Sequence, residues 1–195
     1  MQLFTIVLAA GTSSRFGATK QLQAWRGTPL VRGAIRLAEH ACGEHSLLVV
    51  GHQWHEVVDA CRPLAGFINV NDAYREGIGT SISGGVRRVA HVADGILLLL
   101  ADQPLVTSAH LDDLCAHWHQ SPDAIVASQY AGALGPPIVF PKRDFAALGK
   151  LKGDAGARRV VGGEAERVVA VEFAPAAVDI DRPEDLAALD AKSAD

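Results

Sequence analysis

Residues 3–20 read LFTIVLAAGTSSRFGATK, an uninterrupted apolar run that passes directly into a loop of small residues. The run at residues 3–10 is continuously apolar rather than alternating, which is typical of a strand covered on both faces of a sheet. Loops that follow such strands form the ligand-binding edge of open α/β sheets. We therefore expect the first strand of an α/β sheet here, with a binding loop directly after it.

The alternation of apolar runs with helical periodicity continues along the chain. Further strands are predicted at residues 46–50, 67–70, 96–101, 124–128 and 168–173, and helices at residues 29–40, 81–92, 108–119 and 183–191. This alternation predicts an α/β fold with a single doubly wound, mostly parallel sheet, Rossmann-like, with helices on both faces. With 195 residues the chain is expected to form one domain, 1–195, whose last polar residues, 192–195, fray.

Composition excludes several classes of protein. The net charge is −4 and no basic block is present, so we expect no nucleic-acid partner. The apolar runs are far shorter than the ~20 residues of a membrane span, so we expect no membrane association. The three cysteines contain no CxxC pair and no charged segment precedes the first apolar run, which favours a reduced, cytoplasmic protein.

The loop after the first strand carries two cations, Arg15 and Lys20, among small residues. Small residues allow backbone N–H groups to close on an anion, and the cations reach the same space. The loop is neither a Walker A loop, because Phe16 replaces its second glycine, nor GxGxxG, because Ser13 does. A solvated surface turn remains the alternative at this point.

Two carboxylates lie beside predicted elements, at places where a ligand could bind. Asp102 comes directly after the run at residues 96–101, where a hard cation such as Mg²⁺ would find an oxygen ligand. Asp181 precedes the last helix, with Asp179 two residues earlier on the same side of an extended segment. A turn at Asp102 and a helix N-cap at Asp181 are the simpler alternatives.

Five segments in order resemble one family, the MobA-like nucleotidyltransferases, and most closely its MocA branch, the molybdenum cofactor cytidylyltransferases. The resemblance lies in Leu8–Lys20 (LAAGxSxRxGxxK), residues 71–82 (NxxxxEGMGxSL, with Ile78 for Met), 101–104 (ADQP), 152–158 (GDxGAR) and 179–186 (DIDTPEDL). It implies the Rossmann-like fold of that family and the following assignments.

The resemblance implies a role for each matching residue. The nucleotide would contact Leu8, Ala9, Ala10, Gly11, Thr12, Arg15, Lys20, Asn71, Gly79, Ser81 and Asp102. Arg15, Lys20 and Asp102 would be the catalytic residues, and Asp102 and Asp181 would bind Mg²⁺. The residues that bind the acceptor would be Gln103, Gly135, Asp154 and Arg158.

The implied reaction is transfer of CMP from CTP to the phosphate of molybdopterin or the molybdenum cofactor, with release of pyrophosphate and with Mg²⁺ as cofactor. Ala10 occupies the position of a glycine in the related guanylyltransferases, which favours CTP over GTP. Pro136 replaces a histidine of the family's Gly-His-Pro-Val segment, so the acceptor is less well defined. A molybdoenzyme or its chaperone would be a further partner.

Other functions stay open on the sequence. The nucleotide could be GTP, and the acceptor a sugar phosphate or alcohol phosphate. The chain could instead be a non-catalytic maturation factor that binds a nucleotide or cofactor for a molybdoenzyme, which would not require both carboxylates. A nicotinamide oxidoreductase is disfavoured by the missing GxGxxG.

Overall fold

The computed structural model describes residues 1–192, so the expectation for the polar end concerns residues that lie largely outside the described part. The strands are β1 Leu3–Ala9, β2 Ala24–Trp25, β3 Thr28–Pro29, β4 Ser46–Val50, β5 Phe67–Val70, β6 Gly95–Leu100, β7 Ile125–Tyr130, β8 Ala133–Pro141 and β9 Val168–Glu172. The α-helices are α1 Leu30–Cys42, α2 Trp54–Ala60, α3 Ile78–Val89, α4 Ser108–Gln120, α5 Phe145–Leu148, α6 Arg158–Gly162 and α7 Pro183–Lys192.

Seven strands form one sheet in the order β5-β4-β1-β6-β8-β7-β9. All neighbouring pairs are parallel except the two that β8 makes with β6 and β7, so β8 alone runs against the others. The short strands β2 and β3 form a separate hairpin. The predicted α/β fold with a mostly parallel sheet is confirmed.

Strand β8 is the strand of the seven-stranded sheet that the sequence analysis fails to predict. Its sequence contains Gly135, Pro136 and Pro137, and proline removes a ladder donor from a strand. The structure accommodates this segment by a register shift between Ala127 and Ser128 of β7, so that the two prolines are passed over in the pairing. A bulge of this kind explains why a strand exists where composition favours a loop.

The sheet is covered on both faces because alternate residues of its central strand enter two different cores. Val7 and Ala9 pack with α1, α2 and α4, whereas Ile6, Leu8 and Ala10 pack with α3, α5 and α6. This two-sided burial explains the continuous apolarity of residues 3–10. No helix within residues 1–192 is long and apolar enough to span a membrane.

Two features of the fold bring distant loops together at the carboxyl ends of the parallel strands. Leu8 of β1 pairs with Leu100 of β6, so the segments that follow these strands leave the sheet side by side. Ile180 is fully buried in a small third core beneath α7, and its N–H donates to the Asp102 carbonyl at 2.9 Å. The segment before α7 is thereby tied to the end of β6.

Candidate active site

A cleft of about 390 Å³ lies beyond the carboxyl ends of β1 and β6. Many residues that the sequence analysis assigns to the nucleotide, the metal or the acceptor line it, namely Leu8, Ala10, Gly11, Thr12, Arg15, Lys20, Ser81, Asp102, Asp154 and Asp181. They come from five separate stretches of the chain. The cleft therefore collects the residues of the sequence motifs at one edge of the sheet, where α/β folds bind ligands.

Lys20 joins the two carboxylates at the floor of this cleft. Its Nζ donates to Asp102 Oδ2 at 2.6 Å and to Asp181 Oδ1 at 3.0 Å. Arg15 Nη1 reaches the other oxygen of Asp181 at 3.4 Å. The two carboxylates touch one nitrogen atom, so they lie close enough together to share a single bound cation.

The electrostatics of the cleft follow from this crowding. Burial alone would lower the pKa of the Lys20 ammonium, but its ion pairs with Asp102 and Asp181 outweigh that and raise the pKa above 10.5. Nearby Asp179 is hydrogen-bonded to the Gln103 side chain. Partial desolvation and then the negative charge of Asp102 raise the pKa of Asp179 to about 6. Lys20 is therefore the charged group that holds the carboxylates of Asp102 and Asp181 together.

Gln21 shapes the loop after β1, although the sequence analysis does not single it out. Its side chain is only 3% exposed, and its Nε2 donates to the Gly11 carbonyl at 3.1 Å. Its Oε1 accepts from the Ser13 hydroxyl at 3.0 Å, and the Ser13 oxygen in turn accepts from the Lys20 backbone N–H at 3.1 Å. A glutamine beside the motif lysine was the available signal, but only the folded loop shows what it contacts.

Asn71 supports the cleft from behind and does not line it. Its Nδ2 donates to Thr80 Oγ1 and to Ser81 Oγ, both at 2.9 Å, and its Oδ1 accepts from the Ala73 N–H at 3.1 Å. These bonds fix the start of α3, which begins at Ile78 rather than at the predicted residue 81. Ser81 is held facing the cleft through this network.

Gly79 also lies behind the cleft, where the start of α3 packs against residues 152–154. Its N–H donates to the Gly153 carbonyl at 2.9 Å, and an added Cβ would lie 2.7 Å from the Lys152 nitrogen. A glycine is required because the two backbones approach so closely. This contact carries Asp154 to the rim of the cleft. Ala9, in contrast, points into the core on the other face of the sheet.

Three predicted acceptor residues converge on one side chain, Tyr130 at the end of β7. The Tyr130 hydroxyl lies 3.4 Å from Gln103 Nε2 and 3.3 Å from Arg158 Nη2, and it donates to the Pro136 carbonyl at 3.0 Å. An added Cβ at Gly135 would collide with the Tyr130 hydroxyl and lie 2.6 Å from Arg158 Nη2. We define Gln103, Tyr130, Gly135 and Arg158 as the tyrosine cluster. The sequence analysis does not single out Tyr130, the centre of this cluster, because a tyrosine in a strand belongs to none of the sequence motifs.

The donor set at the acidic pair fits a hard divalent cation. Carboxylate oxygens are the preferred ligands of Mg²⁺, and Asp102 Oδ1 is buried without a hydrogen-bond partner in the described part of the chain. Within residues 1–192 no cluster of three or more histidine, cysteine, aspartate or glutamate side chains is arranged to hold a metal. A cation at Asp102 and Asp181 would therefore need further oxygens from water or a substrate.

A doubly wound sheet with cations and paired carboxylates at its carboxyl edge is typical of α/β enzymes that handle phosphorylated nucleotides. The family follows from comparison with known proteins. The MobA-like NTP transferase domain matches residues 5–168, so the chain belongs to this family and is a nucleotidyltransferase. The resemblance found in the sequence motifs is confirmed.

Several individual relatives are similar to the chain over most of its length. Purine catabolism protein PucB of Bacillus subtilis is 34% identical over 167 residues, which cover 82% of this chain and 80% of that protein. A probable molybdenum cofactor guanylyltransferase of Thermococcus sibiricus is 28% identical over 141 residues, 72% of this chain and 69% of that protein. Rv0371c of Mycobacterium tuberculosis superposes with a TM-score of 0.84 at 30% identity over 97% of each chain. A structure of Rv0371C in complex with manganese superposes with a TM-score of 0.80 at 28% identity.

Proposed function

We propose that this nucleotidyltransferase transfers CMP from CTP to the phosphate of a pterin cofactor of the molybdopterin type, with release of pyrophosphate. The observation that carries the proposal is the cleft in which Lys20, Asp102 and Asp181 meet beyond β1 and β6. The nucleotide would bind to the residues of that cleft that the sequence motifs assign to it. The acceptor would bind on the side of the tyrosine cluster, together with Asp154. A relative named for molybdenum cofactor guanylyl transfer supports an acceptor of this chemical class.

The reaction needs positioning and charge stabilisation more than proton transfer. The acceptor phosphate is already an anion, so it can attack the α-phosphate without a general base. Lys20 and Arg15 would hold the β- and γ-phosphates and neutralise the charge that develops on the departing pyrophosphate. Bringing two polyanions together requires this concentration of positive charge.

Asp102 and Asp181 would hold the divalent cation in this proposal. When bound, Mg²⁺ would act as a Lewis acid and as a template that aligns the phosphates. The unpartnered Asp102 Oδ1 and the manganese complex of a relative both support a divalent cation. The buried backbone around Ile180 keeps the two acidic segments in register for this role.

Preference for CTP would come from the space beside Ala10. Its side chain is 4% exposed and lines the cleft together with Tyr74. Gly51 lies between these two residues, because an added Cβ there would lie 2.6 Å from Tyr74 Cβ and 2.8 Å from the Ala10 carbonyl oxygen. The side of the cleft at Ala10 is therefore tightly packed and has little room to give way to a larger base. This supports a preference for the smaller pyrimidine base over a purine.

The test measures pyrophosphate release from each of the four nucleoside triphosphates with purified molybdopterin or molybdenum cofactor as acceptor. We expect release with CTP, less with GTP, and none without the pterin. Release with glucose 1-phosphate or another sugar phosphate in place of the pterin would change the acceptor class. Nucleotide binding without release in any combination would favour the maturation-factor alternative.

A further inference from the structure

The two carboxylates proposed for the divalent cation are already paired with a cation of the chain itself. Lys20 Nζ lies 2.6 Å from Asp102 Oδ2 and 3.0 Å from Asp181 Oδ1, and the Lys20 side chain is only 13% exposed. A divalent cation prefers the same oxygen atoms. The ammonium and the metal therefore compete for one place in the cleft.

The loop holds the backbone of Lys20 in place, and from there the side chain reaches the acidic pair. Its backbone N–H donates to Ser13 Oγ, and the Ser13 hydroxyl donates to the buried Gln21 side chain. Residues Lys20–Leu22 form a short 3-10 helix, which orients the Lys20 side chain towards the end of β6. The contact with Asp102 is thus built into the fold.

The pairing leaves one acidic oxygen unsatisfied. Asp102 Oδ2 accepts from Lys20, but Asp102 Oδ1 is buried and has no hydrogen-bond partner within residues 1–192. A buried carboxylate oxygen without a hydrogen bond or ligand is costly. One ammonium group therefore leaves part of the bonding capacity of the two carboxylates unused. A metal ion, which has more coordination positions, would bind more of their oxygen atoms.

We propose that Lys20 is a resident counter-ion that keeps divalent metal off Asp102 and Asp181 until a triphosphate draws its ammonium group away. The inference rests on the proposed function for the identity of the anion, a nucleoside triphosphate. Metal alone then binds weakly, because it must displace an ion pair within the cleft. The triphosphate supplies Lys20 with a new partner, so metal and nucleotide strengthen each other's binding reciprocally.

The experiment is a titration of the full chain with Mn²⁺ alone, followed by electron paramagnetic resonance of the free ion. Lys20→Met removes the ammonium group and keeps most of the side-chain volume. We expect this variant to bind Mn²⁺ about tenfold more tightly than the wild type, with Lys20→Gln changing it in the same direction. Arg15→Met is the matched control, because the Arg15 side chain is 74% exposed and pairs with Asp181 at the longer distance of 3.4 Å. It should change Mn²⁺ binding much less.

Two further measurements show where Mn²⁺ binds and whether its binding is coupled to that of the nucleotide. Asp102→Asn in the Lys20→Met background should remove the gain in Mn²⁺ affinity. With a non-hydrolysable CTP analogue, the wild type should bind Mn²⁺ about tenfold more tightly than without it, and Lys20→Met should lose most of that increase.

Equal Mn²⁺ affinity of the wild type and both Lys20 variants in the absence of nucleotide would overturn the proposal. If CTP transfer occurred nonetheless, the proposed function would stand without the counter-ion. If the protein bound no CTP, the proposed function would fail, and the titration with Mn²⁺ alone would still decide the role of Lys20.

Discussion

Asp102→Asn separates the catalytic interpretation of the acidic pair from a structural one. The change removes one negative charge and keeps the size of the side chain. Lys20 still has Asp181 at 3.0 Å, so no buried ammonium group is left unpaired. The loss of unfolding free energy should therefore be about 1 kcal/mol, well below the ~3–5 kcal/mol that an unpaired buried charge would cost.

The effect on turnover should be much larger. By analogy with the loss of one charge-stabilising group, the barrier should rise by about 3 kcal/mol, which lowers turnover by at least about a hundredfold. Pyrophosphate release measures turnover, and urea unfolding measures stability. Asp112→Asn is the control, because its exposed carboxylate pairs with His40 on the surface, and it should change neither quantity.

Two results would refute this reasoning. Turnover of Asp102→Asn within about fivefold of the wild type would make Asp102 a turn residue only. A loss of stability of about 3 kcal/mol or more would show that the ion pair serves mainly to hold the fold.

Three other predictions test separate parts of the structure. Ala10→Gly should narrow the preference for CTP over GTP, a steric effect of about 1–3 kcal/mol, measured as the ratio of kcat/KM values; an unchanged ratio would exclude Ala10 as its source. Gly135→Ala should raise the KM for the acceptor and leave CTP affinity unchanged, because its methyl group would collide with the Tyr130 hydroxyl; equal effects on both substrates would contradict this. Burial lowers the pKa of His110 below 6.5, so protonation favours the unfolded chain and the unfolding free energy should fall as the pH drops below 6.5. Urea unfolding across this pH range should show that the unfolding free energy of His110→Gln, which retains a donor for Ser128, depends less on pH than that of the wild type. The same pH dependence in both proteins would show that His110 is not its source.

The sequence predicts those parts of the fold that repeat a simple pattern. Six of the strands follow from apolar runs. In β1, β4, β6 and β7 the continuous apolar signature reflects burial on both faces, whereas the edge strands β5 and β9 are apolar but partly exposed. Strand β8 escapes prediction since Pro136 and Pro137 break that signature, and the bulge beside Ala127 that accommodates them depends on pairing with another strand. Helix α2 is only seven residues long, and its sequence carries no cap that separates it from a loop.

The site divides in a similar way. The motif residues Lys20, Asp102 and Asp181 can be found in the sequence, but their mutual contacts cannot. Lys20 meets Asp181 across 161 positions of the chain, and that meeting depends on the burial of Ile180 beneath α7. Tyr130 is the opposite case, because its importance comes entirely from three neighbours that the fold brings to its hydroxyl group.

The most direct test of the central claim uses CTP labelled at the α-phosphate, with purified molybdopterin as acceptor and Mg²⁺ present. We predict that the label appears in a product heavier than the acceptor by one CMP unit, and that one pyrophosphate is released for each labelled product. Mass spectrometry of the product and a pyrophosphate assay measure the two quantities together. Label that remains in CTP, or that appears only as free CMP, would contradict the account.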